Sequence, residues 1–170
     1  MKYLGAFCIH FFDSMASEFT LDRLDRKILS ILMEDARTPY LEIARSCAVS
    51  GATVHLRIQK LEQHGVIKGS RLIVDPARLG IGICAFLGIY LDRGSHFKDV
   101  VGQFKAIQEI VECHYTTGMY TIFAKIYCRD TAHLREVLND KIQAIDAVQR
   151  TETLISLEET FERQIVVEEI

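Results

Sequence analysis

The chain has 170 residues, 49% of them hydrophobic and 25% charged, with a net charge of −3. That composition describes a globular protein able to build a core in one or two small domains, and excludes a disordered chain. An overall acidic balance also excludes a uniformly basic nucleic-acid binder, so any such role must rest on a local concentration of cations.

The opening run MKYLGAFCIHFFDS follows Lys2 with an apolar stretch that superficially resembles a weak signal peptide. It is too short to span a bilayer, and Met15 offers a second start. Residues 1–18 are therefore expected to be an N-terminal extension, either not translated in the cell or disordered.

Residues 19–69 carry three short amphipathic helices separated by two tight breaks. In the first, Leu21, Leu24, Ile28, Ile31 and Leu32 recur at three- and four-residue steps, and Asp22 and Asp25 sit in the opening turns, where the helix dipole favours anions. Thr38 is the expected N-cap of the second helix and Pro39 its first residue, with Leu41, Ile43 and Ala44 supplying apolar surface up to about Cys47. Ser50 caps the third, which runs through Val54, Ile58 and Leu61 and stops at Gly65, a left-handed position just past the helix end. This spacing predicts a helix-turn-helix unit whose third helix enters a DNA major groove. Ser50, Gly51, Thr53, His55, Arg57, Gln59 and Lys60 are the candidate contacts: small residues for close approach, His55 and Gln59 for bases, Arg57 and Lys60 for phosphates. Between Arg45 and Arg78 six Lys or Arg face only two acids, a local balance of +4.

Residues 70–80 are the expected connector, with a short strand at 70–74 (SRLIV). Beyond it, residues 81–170 carry nine Lys or Arg against fourteen Asp or Glu. Strand and helix patterns alternate there: a strand from Ile81 to Leu91, a helix stripe of Phe97, Val100, Val101, Phe104 and Ile107, strands over 110–117 and 121–129 joined at Gly118, a helix through Leu134, Val137, Leu138, Ile142 and Ile145, and a last strand from Val148 to Glu158. The order βαββαβ over 81–163 predicts a ferredoxin-like sandwich with both helices on one face, in an α+β protein overall. Because the first strand is apolar at both parities, its uncovered face predicts a second copy, hence a homodimer. Residues 164–170 are expected to be a solvated tail.

Four segments together resemble the Lrp/AsnC family, the leucine- and asparagine-responsive "feast/famine" transcription regulators of prokaryotes. They are Leu21-Asp22-x-x-Asp25-x-x-Ile28-Leu29, Pro39-Tyr40-Leu41-Glu42-Ile43-Ala44, Ser50 to Ile58, and Leu61-Glu62-Gln63-His64-Gly65-Val66-Ile67, followed by Asp75-Pro76-x-x-Leu79-Gly80. The resemblance covers about residues 19 to 163. It implies a winged helix-turn-helix domain, with Ser50 to His64 as the recognition helix, joined to a βαββαβ ligand-responsive (RAM or ACT-like) domain. It further implies double-stranded DNA and an amino-acid effector as partners, and dimers assembling into tetramers or octamers. In that family the turn usually reads Gly-x-Tyr-Asp; here Gly118 and Tyr120 fit, while Thr121 replaces the acid. The candidate effector residues are Gly118, Met119, Tyr120 and Thr121, with Thr151 and Thr153 on the last strand.

An enzyme is the alternative, since the sirohaem decarboxylases resemble this two-domain layout. They need His and Arg converging on a polycarboxylate tetrapyrrole, and the acidic C-terminal half disfavours that. Five scattered cysteines without a C-x-x-C pair suggest reduced thiols in a cytoplasmic protein. The spacings of the common metal, phosphate-loop and nucleophile motifs are missing from the sequence, so no cofactor and no membrane partner is expected.

Overall fold

The computed structural model of the chain describes residues 19–167. The expectations for residues 1–18, including Cys8 and the alternative start at Met15, lie outside the described residues, as does the end of the tail. The chain divides into two compact units, and among the described residues these are 19–72 with 163–167, and 73–162. The division falls inside the expected connector.

The first unit holds α1 (Arg23–Glu34), α2 (Tyr40–Cys47) and α3 (Gly51–Gln63). Helix α1 begins with a capping box: the Asp25 backbone N–H donates to Asp22 Oδ1 at 2.8 Å, and the Asp22 N–H donates back to Asp25 Oδ2 at 3.2 Å. These two aspartates are thus cap and counter-cap, a sharper role than general dipole complementarity. Helix α2 starts one residue later than expected. Pro39 is its N-cap, without a side-chain bond, and the Thr38 hydroxyl instead donates to the Asp35 carbonyl at 2.8 Å. The turn into α3 passes through Ala48, whose φ of 55° is left-handed, and the Val49 N–H closes the α2 end on the Ala44 carbonyl at 3.0 Å. Ser50 caps α3, accepting from the Thr53 N–H at 3.0 Å, and Gly65 follows the helix at φ 70° as expected. Ile28, Ile43 and Val54 are fully buried in one cluster between the three helices, and Leu61 of α3 is fully buried as well.

The strand expected at 70–74 is not formed. An extended segment becomes a strand only by laddering with a neighbour, and these residues pair with no described strand; Leu72, Ile73 and Val74 are exposed at 72%, 80% and 51%.

The second unit is the βαββαβ sandwich: β1 (Ile83–Leu91), α4 (Phe97–Phe104), β2 (Ile110–Tyr115), β3 (Ile122–Cys128), α5 (Thr131–Glu136, continued by a π-helical stretch Val137–Ile142) and β4 (Val148–Ile155). The sheet is antiparallel in the order β2-β3-β1-β4. Alternation sorts its residues. Ala85, Leu87, Ile89, Ile122, Ala124 and Ile126 face the helices and bury against Val100, Phe104, Leu134, Val137 and Ile142. A fully buried Ile or Leu side chain is worth about 1.5–3 kcal/mol, so this layer dominates the unit's stability. Cys84, Phe86, Gly88 and Tyr90 of β1, with Phe123, Lys125 and Tyr127 of β3, lie on the other face. Among the described residues no helix covers them, and Leu154 beside Phe86 is 53% exposed. Among the described residues no helix is long and apolar enough to cross a membrane.

Candidate nucleic-acid interface and ligand turn

Because Val54, Ile58 and Leu61 turn inward, α3 presents Ala52, His55, Leu56, Gln59 and Lys60 to solvent, all of them exposed. The Ser50 and Thr53 hydroxyls are 2.8 Å apart and share a hydrogen bond at its N-terminal end. A Cβ on Gly51 would meet the Leu41 side chain at 3.2 Å, so this glycine lets α2 and α3 approach. His55 lies beside Tyr40, ring centroids 5.9 Å apart, which limits the imidazole's freedom before any base is met. Lys60 Nζ stands 4.9 Å from the Phe19 ring, and Phe19 stacks on His64 at 4.3 Å. Tyr40 and Phe19 went unnoticed in the sequence, because their partners lie 15 and 41 or more residues away and no local periodicity links them.

Arg57 does not join this surface. Its Nη1 pairs with Asp22, and with Asp25 at 3.1 Å, tying the middle of α3 to the first turn of α1. Asp25 is 1% exposed, so this cation answers a buried carboxylate. Arg57, a candidate phosphate contact, is thereby placed as a clamp between the helices: on the helical wheel it falls beside the inward stripe rather than opposite it. The backbone N–H of Asp25 holds the Asp22 carboxyl below the usual carboxylate range; burial opposes this, and the Arg57 hydrogen bond and charge add to the lowering.

The turn between β2 and β3 is closed by the Thr116 N–H donating to the Thr121 carbonyl at 3.2 Å and by the Thr116 hydroxyl donating to the Tyr120 carbonyl. Gly118 and Met119 are exposed, and a Cβ at Gly118 would meet nothing, so its backbone is open to solvent. Thr121 is half-buried and anchored through its N–H to the Ile89 carbonyl at 3.0 Å. Tyr120 folds back over β1: a Cβ at Gly88 would lie 2.4 Å from its ring. A glycine inside an apolar strand signals such a close approach, and this signal was available in the sequence.

Tyr120 donates its hydroxyl to Glu152 Oε2 at 2.8 Å, while Tyr90 donates to Oε1 at 3.2 Å. The Tyr120 hydrogen bond holds the Glu152 carboxyl below its ordinary range and pushes the Tyr120 phenol up. Arg150 completes the group, ion-paired with Glu152 and lying 4.3 Å over the Tyr90 ring. A carboxylate thus stands at the turn although Thr121 replaces the acid expected there. Thr151 and Thr153 are not brought to Tyr120. They pair with Ile89 and Leu87 on the helix-covered parity, whereas Tyr120 lies on the open face over Gly88, and Thr151 accepts from Gln143 at 2.8 Å. Sequence reasoning placed them one residue off the strand alternation that puts Glu152 there.

Two family models match in tandem: the AsnC-type helix-turn-helix domain over residues 21–62 and the Lrp/AsnC ligand binding domain over residues 84–166. The regulatory protein AsnC of Haemophilus influenzae is 45% identical over 145 residues, covering 85% of this chain and 97% of that protein. This chain belongs to the Lrp/AsnC family. The structure of Escherichia coli AsnC superposes with a TM-score of 0.82 at 42% identity, covering 86% of this chain and 99% of that one. A feast or famine regulatory protein from M. tuberculosis complexed with L-methionine gives 0.81 at 26% identity, covering 86% and 99%. The chain is accordingly a helix-turn-helix transcription regulator of two-domain α+β architecture.

Proposed function

We propose that this protein binds operator DNA through α3 as a homodimer and changes its assembly when an amino acid occupies the turn at 116–121. The observation that carries the reading is the tandem arrangement of a reading helix, with His55, Gln59 and Lys60 on its outer face and its clamp turned inward, and a ligand-type sheet unit with one face that no described helix covers. Phe86 and Phe123, stacked at 5.9 Å on that face, are the centre expected to bury against a second copy. Paired reading helices then match half-sites about 34 Å apart or multiples of that spacing.

At the turn, the open backbone of Gly118 and the side chain of Met119 face solvent, and Glu152 beside Tyr120 is a carboxylate that an effector's ammonium can meet in place of Arg150. The L-methionine complex of the M. tuberculosis relative supports an amino acid as the class of ligand. The decarboxylase alternative fares worse: the groups gathered at Tyr120 are phenols and a carboxylate, with the one arginine among them already paired, which is the wrong charge for a polycarboxylate tetrapyrrole.

The test is a thermal-shift screen of the twenty amino acids followed by light scattering with the best stabiliser, since a ligand bound only by the folded state raises the melting temperature. Gly118→Asp is expected to abolish the ligand-induced change in assembly and leave DNA affinity intact. A retained response places the pocket elsewhere. A sirohaem titration without spectral change, beside retarded promoter DNA, separates regulator from enzyme.

A further inference from the structure

We infer that Leu56 reads the C5-methyl groups of thymines in the major groove, so that pyrimidine methylation state is a determinant of operator choice. The inference rests on α3 being the DNA-reading helix. On a helical wheel of about 100° per residue, Gln63 and Leu56 lie nearest the direction opposite the buried stripe of Val54, Ile58 and Leu61, with Ala52 beside them. The side chain over the middle turn of the outward face is therefore a leucine, and it is 63% exposed. The apolar side chains packed around the core of this unit are Leu24, Ile31, Leu32, Cys47, Val49 and Ile67; Leu56 is not among them.

A large aliphatic side chain at the focus of a recognition surface needs an apolar partner, and its surroundings narrow the choice. His55, Gln59 and Lys60 lie around it, exposed polar and cationic neighbours that suit a phosphate-lined groove better than an apolar protein surface. On the floor of a major groove the one apolar group is the methyl at C5 of thymine, a position that cytosine offers only when methylated. Arg57, which would put a charge near this spot if it were free to swing outward, is held away by Asp22 and Asp25. His55, braced by Tyr40, and Gln59 remain beside Leu56 to bond the polar edges of adjacent bases.

The test uses the full chain and two libraries of random duplexes, one ordinary and one amplified with deoxyuridine in place of thymidine, which removes every C5-methyl and keeps Watson–Crick pairing. The wild type is expected to enrich a site with thymines from the first library. It should lose about fourfold in affinity for each contacted methyl when that site is rebuilt with deoxyuridine, the factor for one buried methyl-sized group. Placing 5-methylcytosine at a contacted position should recover affinity relative to cytosine. Leu56→Ser, a surface change with no packing to lose, should bind the thymine and deoxyuridine duplexes equally, and Leu56→Ala should be intermediate. This coupling removes any effect of the methyls on DNA stiffness, which both proteins would feel alike. Equal wild-type affinity for the two duplexes overturns the inference, and so does a Leu56→Ser protein that stays methyl-sensitive; in both cases DNA binding itself survives. Failure to retain either library at low salt overturns the DNA reading as well.

Discussion

The two units dispose of apolar surface in opposite ways. The helical unit closes its core on itself: three helices of 8 to 13 residues bury Ile28, Ile43, Val54 and Leu61, and what remains outside α3 is mostly polar or cationic. The sheet unit buries one face under its helices and leaves Phe86, Tyr90, Tyr120, Phe123 and Tyr127 on the other, half-buried among themselves. Surface that faces a hydrated polyanion must be finished without help from a partner, whereas surface that meets another protein can be left for association to complete. The first unit depends on caps and a clamp at its ends, the second on continuous ladders.

The largest test of this contrast is Leu61→Ala. It removes a fully buried side chain from the small helical core and is expected to destabilise that unit by about 2–5 kcal/mol. Hydrogen exchange should show the helices opening while β1 and β3 stay protected; loss of both together would mean that the units are not independent in stability.

A smaller effect is expected for Arg57→Ala, about 2 kcal/mol, because it strands the carboxylate of Asp25 without its cation. Its pH dependence has a definite sign. Asp22 has a carboxyl depressed below the ordinary 3.8, so its contribution is fully present above that value and is lost as pH falls through the lower, folded-state value. Wild type and variant should therefore converge in stability in strong acid, measured by urea midpoints. The salt dependence of DNA binding should keep its slope in this variant, whereas Lys60→Ala should flatten it by about one unit.

The smallest change is a gain. Ala48 occupies a left-handed conformation that a Cβ disfavours, so Ala48→Gly is expected to stabilise the helical unit by about 0.5 kcal/mol, after the greater freedom of glycine in the unfolded chain is deducted. A lowered melting temperature would show that the Ala48 methyl packs more usefully than its backbone angle implies.

Where a rule is local, the sequence carried the structure. The Ser50 cap, the Gly65 stop and the inward stripe of α3 follow from spacing alone, and the alternation of strands and helices in residues 81–170 led directly to the βαββαβ sandwich. Rules that need a partner were not legible. The segment 70–74 has strand composition but no described neighbour to ladder with, and Thr38 lost its capping role because its hydroxyl found the Asp35 carbonyl. Arg57 had looked like one more surface cation, and only the position of α1, more than thirty residues earlier, reveals what it holds. At the turn, Tyr120 and Gly118 were evident, but Glu152 became visible only when the β1–β4 register fixed which side chains share its face.

The Asp22–Asp25–Arg57 clamp has a consequence for how the protein leaves and regains DNA. Ionic strength weakens exposed contacts to phosphates far more than a pair involving a carboxylate that is almost fully buried. A rise in salt should therefore eject the protein while its reading helix is still fastened in place. Rebinding then requires a correctly oriented collision but no reordering of α3, so dilution of salt should restore complex without a slow folding phase.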